Sequence, residues 1–181
     1  MSDAAMAADG DPALAAGYEV LARCWREPDV ALVQAVEDGV LEDVVPGVDA
    51  VALDALRAEH TRLFVGPGEL PCPPYESVYR DDGGQVLGPS TEAVVAWYRT
   101  FGVGLDPAVR DLPDHVAVEL EFLAHLQRRG ETATVDRFLA EHPRRWVPAF
   151  CDRVEAATRE PFYRALAAAT RDLLDGVETE A

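Results

Sequence analysis

Four prolines, Pro67, Pro71, Pro73 and Pro74, fall within eight residues of one another, and two glycines, Gly66 and Gly68, flank the first of them. Proline fixes φ, lacks a backbone donor and pushes the residue before it toward extended geometry, so neither a helix interior nor a central strand runs through such a stretch. The rest of the chain must be built on either side of a stiff connector. The segment from Arg62 to Tyr79 therefore reads as a surface loop presenting Tyr75, Ser77 and Tyr79. A loop that is already stiff loses little chain entropy when a partner binds, which suits recognition. The same stiffness suits a plain connector between helices, and spacing alone does not choose between the two.

On both sides of this loop the apolar residues recur at helical spacing. Leu14, Tyr18, Leu21, Ala22 and Trp25 mark a helix that ends near Glu27, before Pro28. Val30, Val33 and Val36 follow in helical phase between Asp29 and Asp38, with Gly39 as a stop. Asp49 is placed to cap a helix carrying Val51, Leu53, Leu56, His60, Leu63 and Phe64, which runs into the loop at Gly66.

Beyond the Asp81–Gly84 turn, Ser90 reads as the N-cap of a helix with Val94, Trp97, Tyr98 and Phe101, closed by Gly102. Asp114 reads as the cap of the next, whose apolar residues are Leu120, Phe122, Leu123 and Leu126 and whose end is Arg128, Arg129 and Gly130. Three further helical patterns start at Thr132, near Trp146 and at Pro161. No alternating stretch is long enough for a sheet. The expectation is an all-α fold, a single-domain bundle of about seven or eight helices over residues 13–176, with flexible acidic ends at 1–12 and 177–181.

At 181 residues and 49% hydrophobic, the chain can bury one sizeable core. No apolar run is long enough to span a membrane, and the first residues lack the basic start and apolar stretch of a secretory signal, so a cytoplasmic location and no stable membrane insertion are expected. The net charge is −17, from 33 acidic residues against 16 basic ones, every one of the latter an arginine. A field of that sign argues against a nucleic-acid partner and attracts a basic peptide. The same bias also fits adaptation of a whole proteome to salt. Cys24, Cys72 and Cys151 are odd in number and show no CxxC spacing, so neither a disulfide framework nor a thiolate zinc site is indicated. Cys72, in the proline loop, is the one expected to be exposed.

Catalytic chemistry finds little support. His115 and Glu119 are four apart on one helix, the spacing of two metal ligands or of a polar contact, and Glu121 and His125 repeat it. From His115 to Glu121 the helix turns by about 600° at roughly 100° per residue, so the pairs face different ways and cannot make one four-ligand site. Ser77 has no GxSxG elbow, and the absence of lysine excludes a P-loop. His60 reads as a core histidine, and Trp97, Tyr98 and Phe101 as mostly core. No catalytic residue, metal or cofactor is called for.

Three stretches together resemble the TorD/DmsD family of redox-enzyme maturation chaperones: Glu59 to Gly68, Pro73 to Tyr79, and Leu112 to Phe122. The helix from Ser90 to Gly102 adds to the likeness, which runs from about residue 14 to residue 175. Many members carry tryptophan where Tyr75 stands.

The resemblance implies an all-helical cytoplasmic chaperone, not an enzyme. Such a chaperone binds the twin-arginine signal peptide and the apoprotein of a molybdopterin-dependent reductase of the dimethyl sulfoxide reductase type until its cofactor is inserted. It places the peptide-binding residues at Gly66, Pro67, Pro73, Pro74, Tyr75, Ser77 and Tyr79 in the loop, and at Asp114, His115, Glu119 and Glu121 in the second motif. Paired arginines and an apolar segment call for carboxylates beside a hydrophobic groove. Asp114 and Glu119 are accordingly expected to attract the arginines, with Tyr75 and Tyr79 taking the apolar part, and the two motifs to lie side by side. A chaperone for nitrate reductase from the related subfamily and a helical metal-dependent hydrolase are the alternatives, and a monomer and a domain-swapped dimer both remain open.

Overall fold

The computed structural model describes residues 10–106, 108 and 110–176. The expected flexible ends lie largely outside that range. Among the described residues nine α-helices form in order: α1 Pro12–Cys24, α2 Val30–Glu37, α3 Leu53–His60, α4 Glu76–Arg80, α5 Pro89–Thr100, α6 Val116–Arg128, α7 Thr132–Glu141, α8 Pro143–Ala157 and α9 Pro161–Asp175. Among the described residues there is no strand, only one isolated antiparallel bridge between Tyr75 and His115. The all-α expectation holds, and α4 is the helix that the periodicity does not reveal.

Helix starts follow the sequence where a short acidic residue stands at the boundary. Asp11 accepts from the backbone N–H of Ala13 at 2.9 Å and of Leu14 at 3.1 Å, with Pro12 at the first position. Asp29 does the same for Leu32 at 2.9 Å. Three expected caps are corrected. Ala52 precedes α3 without any side-chain cap, so Asp49 does not serve it. Ser90 is the second residue of α5, and its N–H and hydroxyl both donate to Asp81, at 3.0 and 2.5 Å, so that Asp81 supplies the cap across the turn. His115, not Asp114, stands at the start of α6.

Helix α1 lies along α6, and α8 along α9, with α7 bridging α6 and α8. Their shared core is aromatic at its centre: Trp25 sits 4.8 Å from Phe150 and 5.9 Å from Phe64, ring to ring. The Trp25 indole N–H donates to the Thr170 hydroxyl at 3.0 Å and pins the end of α1 to α9.

After α3 the chain widens into a π-helical turn over Thr61–Val65, closed by the Gly66 N–H donating to the Thr61 carbonyl at 2.9 Å. Glu59, at the end of α3, is gripped there by Arg62 at 2.7 Å, by the Thr158 hydroxyl at 3.1 Å and by the N–H of Arg159. Arg62 above all holds the Glu59 carboxyl down at about 2. This clamp fixes the α3 end against the α8–α9 junction, and the proline loop leaves from it.

Candidate functional site

The loop residues occupy distinct places along one path. Gly66, at φ 100°, turns the chain out of the π-helical turn, a conformation that a side chain would strain. Pro67 lies exposed on the outside of the bend, while Pro73 is half-buried and Pro74 buried. From Pro74 onward the chain runs against the start of α6. The Val116 N–H donates to the Pro74 carbonyl and the Glu76 N–H to the Asp114 carbonyl, both at 3.0 Å. The Tyr75 ring meets the edge of the His115 ring at 5.4 Å. The loop motif and the second motif are therefore side by side, as the sequence leads one to expect.

What joins them most firmly is a carboxylate. Asp114 Oδ2 accepts from the backbone N–H of Ser77 at 2.9 Å and from its hydroxyl at 2.6 Å, both inside the protein. Asp114 thus caps α4, a helix of five residues too short to stand alone. His115 caps α6 through its ring: Nδ1 accepts from the Ala117 N–H at 3.1 Å, which requires a neutral imidazole with the proton on Nε2. Burial is the main cause that pushes this imidazole down to about 4.

Beneath α4 lies a second group of buried acids. Glu76, fully buried, receives His142 Nδ1 at 2.9 Å on one oxygen and the Arg80 guanidinium on the other. Glu119 accepts from the Trp146 indole N–H at 3.1 Å through Oε2, while Oε1 has no partner of good geometry. Burial first, and then the charge of Glu76, raise the Glu119 carboxyl well above the carboxylate range. A protonated acid is favoured at that position.

Several expectations are corrected by this arrangement. The segment does not present all of its polar and aromatic residues: Ser77 is fully buried, and Tyr79, half-buried on α4, turns toward α8, with its ring 5.5 Å from Trp146 and the Arg153 guanidinium 4.8 Å over its face. Asp114 and Glu119, 0% and 1% exposed, are enclosed and internally bonded, so neither offers its charge to an incoming arginine from the surface. Cys72 is buried as well, its N–H donating to the Leu63 carbonyl at 3.1 Å, and burial pushes its thiol up to about 11. His115 and Glu119 share a helix but diverge in partners, one to Ala117 and one to Trp146. Among the described residues no three His, Cys, Asp or Glu side chains are arranged to hold a metal ion.

In the second motif, Glu121 is the residue that reaches solvent. Both of its oxygens accept from Arg26, which also donates from Nε to Asp111 Oδ2 at 2.9 Å. Asp111 is close enough for its charge to act on the Tyr75 hydroxyl and on the His115 imidazole. Tyr75, seated on the buried His115, and Asp111 and Glu121, joined through Arg26, thus form a strip along the start of α6.

Comparison with known proteins supplies the family. A family model described as nitrate reductase delta subunit matches residues 29–152, more than half of the chain. The selenate reductase assembly chaperone protein of Thauera selenatis is 33% identical over 164 residues, covering 88% of this chain and 80% of that protein. The chain belongs to the TorD/DmsD family of redox-enzyme maturation chaperones. The Tat proofreading chaperone DmsD of Salmonella typhi is 34% identical over 113 residues, 62% of this chain, but the match spans only 55% of that relative's length. The fold of this TorD/DmsD-family chain matches a crystal structure from Archaeoglobus fulgidus assigned to redox enzyme maturation, with a TM-score of 0.64 and 24% identity over 92% of this chain and 94% of that one.

Within this TorD/DmsD-family chain, sequence reasoning passed over Glu76, Arg80, His142, Arg26 and Asp111. Glu76 and Arg80 carried a readable signal, an acid four residues before an arginine. Their partner His142 lies 66 residues further on, and Arg26 lies 95 residues before Glu121, distances that no local spacing rule reaches.

Proposed function

We propose that the chain is a cytoplasmic assembly chaperone, not an enzyme, for a molybdopterin-dependent oxidoreductase of the dimethyl sulfoxide reductase type. It binds the twin-arginine signal peptide and the apoprotein until the cofactor is in place. The observation that carries this reading is the joining of the loop and α6 motifs into one strip, with Tyr75 and Glu121 at its surface and an acidic protein behind it. The remaining motif residues divide by role. Gly66, Pro67, Pro73 and Pro74 set the path of the loop, Ser77, Asp114 and His115 fix the segment that carries Tyr75, and Tyr79 and Glu119 face inward against Trp146 of α8. Relatives named as Tat proofreading and reductase assembly chaperones support the same conclusion.

The test is co-expression with the reductase precursor of the same genome, followed by size-exclusion chromatography. The expected result is a complex that weakens when both signal-peptide arginines become alanine; a precursor that never co-elutes contradicts the proposal. The mass of the complex also distinguishes a monomeric chaperone from a domain-swapped dimer.

A further inference from the structure

Asp111 and Glu121 already hold a guanidinium. Arg26, in the turn after α1, meets Glu121 with both terminal nitrogens, one at 3.1 Å, and Asp111 with Nε. This is the fork geometry by which carboxylates recognise arginine. Yet the side chains are not enclosed: Arg26 is 24% exposed, Asp111 28% and Glu121 47%. Ion pairs this open add little to stability and exchange readily for an equivalent partner. The sequence thus places two carboxylates around one partly exposed arginine near the start of α6.

Glu121 is also part of a second feature. With Tyr98, Val103, Leu105, Val118 and Phe122 it lines a cavity of about 210 Å³ between α6 and the chain that follows α5. That is roughly seven water molecules' share of liquid volume, room for one large apolar side chain. Leu105 stands at its mouth, 42% exposed. His125 also lines it, and its Nε2 is shielded from solvent and without a hydrogen-bond partner among the described residues. An acidic fork and an apolar cavity thus share one residue.

We propose that this acid-rimmed cavity is the docking site for an arginine and a nearby apolar residue of the client peptide, with Arg26 occupying the arginine position in the free protein as an internal competitor. The occupant is a basic, apolar peptide because the rim carboxylates are already arranged around a guanidinium and the cavity beside them is apolar. In an extended peptide, side chains two residues apart point the same way about 7 Å apart, so one segment reaches both the fork and the cavity. Binding then swaps one arginine for another at no net cost in ion pairs, and the gain comes from filling the cavity. An internal competitor that holds the fork most of the time lowers the apparent affinity by the fraction of time the fork is free.

The proposal rests on the peptide-binding function above, and the experiment separates the two. A short fluorescent peptide carrying Arg-Arg followed by an apolar stretch is titrated against the wild type, Arg26→Ala, Glu121→Gln and Leu105→Glu, with thermal unfolding as the control for folding. Arg26→Ala is expected to bind about tenfold tighter, Glu121→Gln and Leu105→Glu to bind more weakly, and Glu121→Gln to cancel the gain of Arg26→Ala in the double variant. Wild-type binding with no tightening in a folded Arg26→Ala, or in Arg26→Gln should alanine not fold, overturns the inference and leaves the chaperone reading standing. Failure of every variant to bind the peptide overturns both.

Discussion

Replacing Asp114 by asparagine keeps the volume and one acceptor but removes the charge to which Ser77 donates twice. Buried hydrogen bonds to a charged group are worth about 1.5–3 kcal/mol, so Asp114→Asn is expected to lower stability in urea by about 2 kcal/mol. A loss under about 0.5 kcal/mol would mean that the cap is incidental. Glu119 predicts the opposite sign. In the unfolded chain its carboxyl ionises near the ordinary 4.5, whereas in the folded chain it stays protonated to a much higher pH. Its stabilising contribution is therefore full below about pH 4.5 and is lost as pH rises. Glu119→Gln, neutral and still able to accept from Trp146, is expected to be more stable than wild type at pH 8 and to lose that advantage toward pH 4.5. A variant destabilised equally at every pH would contradict this. For His115 the window lies elsewhere: its contribution is present above the ordinary 6.5 and is lost as pH falls from there to about 4. His115→Asn retains a capping acceptor without that titration, so its urea midpoint should fall less over the same interval.

Helix α4 is the element most dependent on distant residues. It has five residues, follows a run of prolines, and takes its N-terminal cap from Asp114, 37 positions away. Sequence patterning therefore could not reveal it: a helix shorter than two turns shows no period, and its cap lies beyond any local window. The eight longer helices were legible because each buries an apolar stripe against the core. The paired motifs were legible as neighbours for a different reason, since their residues together matched a known pattern. Which of those residues face solvent was not legible, because spacing cannot separate a carboxylate enclosed by Ser77 from one that opens to water. Amide hydrogen exchange tests this dependence directly. In Asp114→Asn the amides of Ser77 and Val78 are expected to gain at least about tenfold more in exchange rate than those of α8 and α9, a difference of about 1.4 kcal/mol in local opening. Equal acceleration throughout would mean that α4 opens only with the whole protein.

The molecule has one core, and Trp25 and Trp146 lie inside it at different ends of the chain. Fluorescence and far-UV circular dichroism should therefore report the same unfolding transition. Trp25→Phe loses the bond to Thr170 and leaves a small cavity, and is expected to cost about 1–3 kcal/mol. Set on this body, the strip of Tyr75, Asp111 and Glu121 is held by His115 and α4 below and α6 behind, on a strongly acidic protein. On the proposed function this surface receives an arginine-bearing peptide. Isothermal titration calorimetry of the folded protein with a twin-arginine signal peptide, and with the same peptide carrying two lysines, measures it most directly. Binding on the order of micromolar for the arginine peptide and at least about tenfold weaker binding for the lysine peptide is predicted, because the lysine point charge cannot fill the carboxylate fork. Equal affinity for the two, or no heat from either, would contradict it.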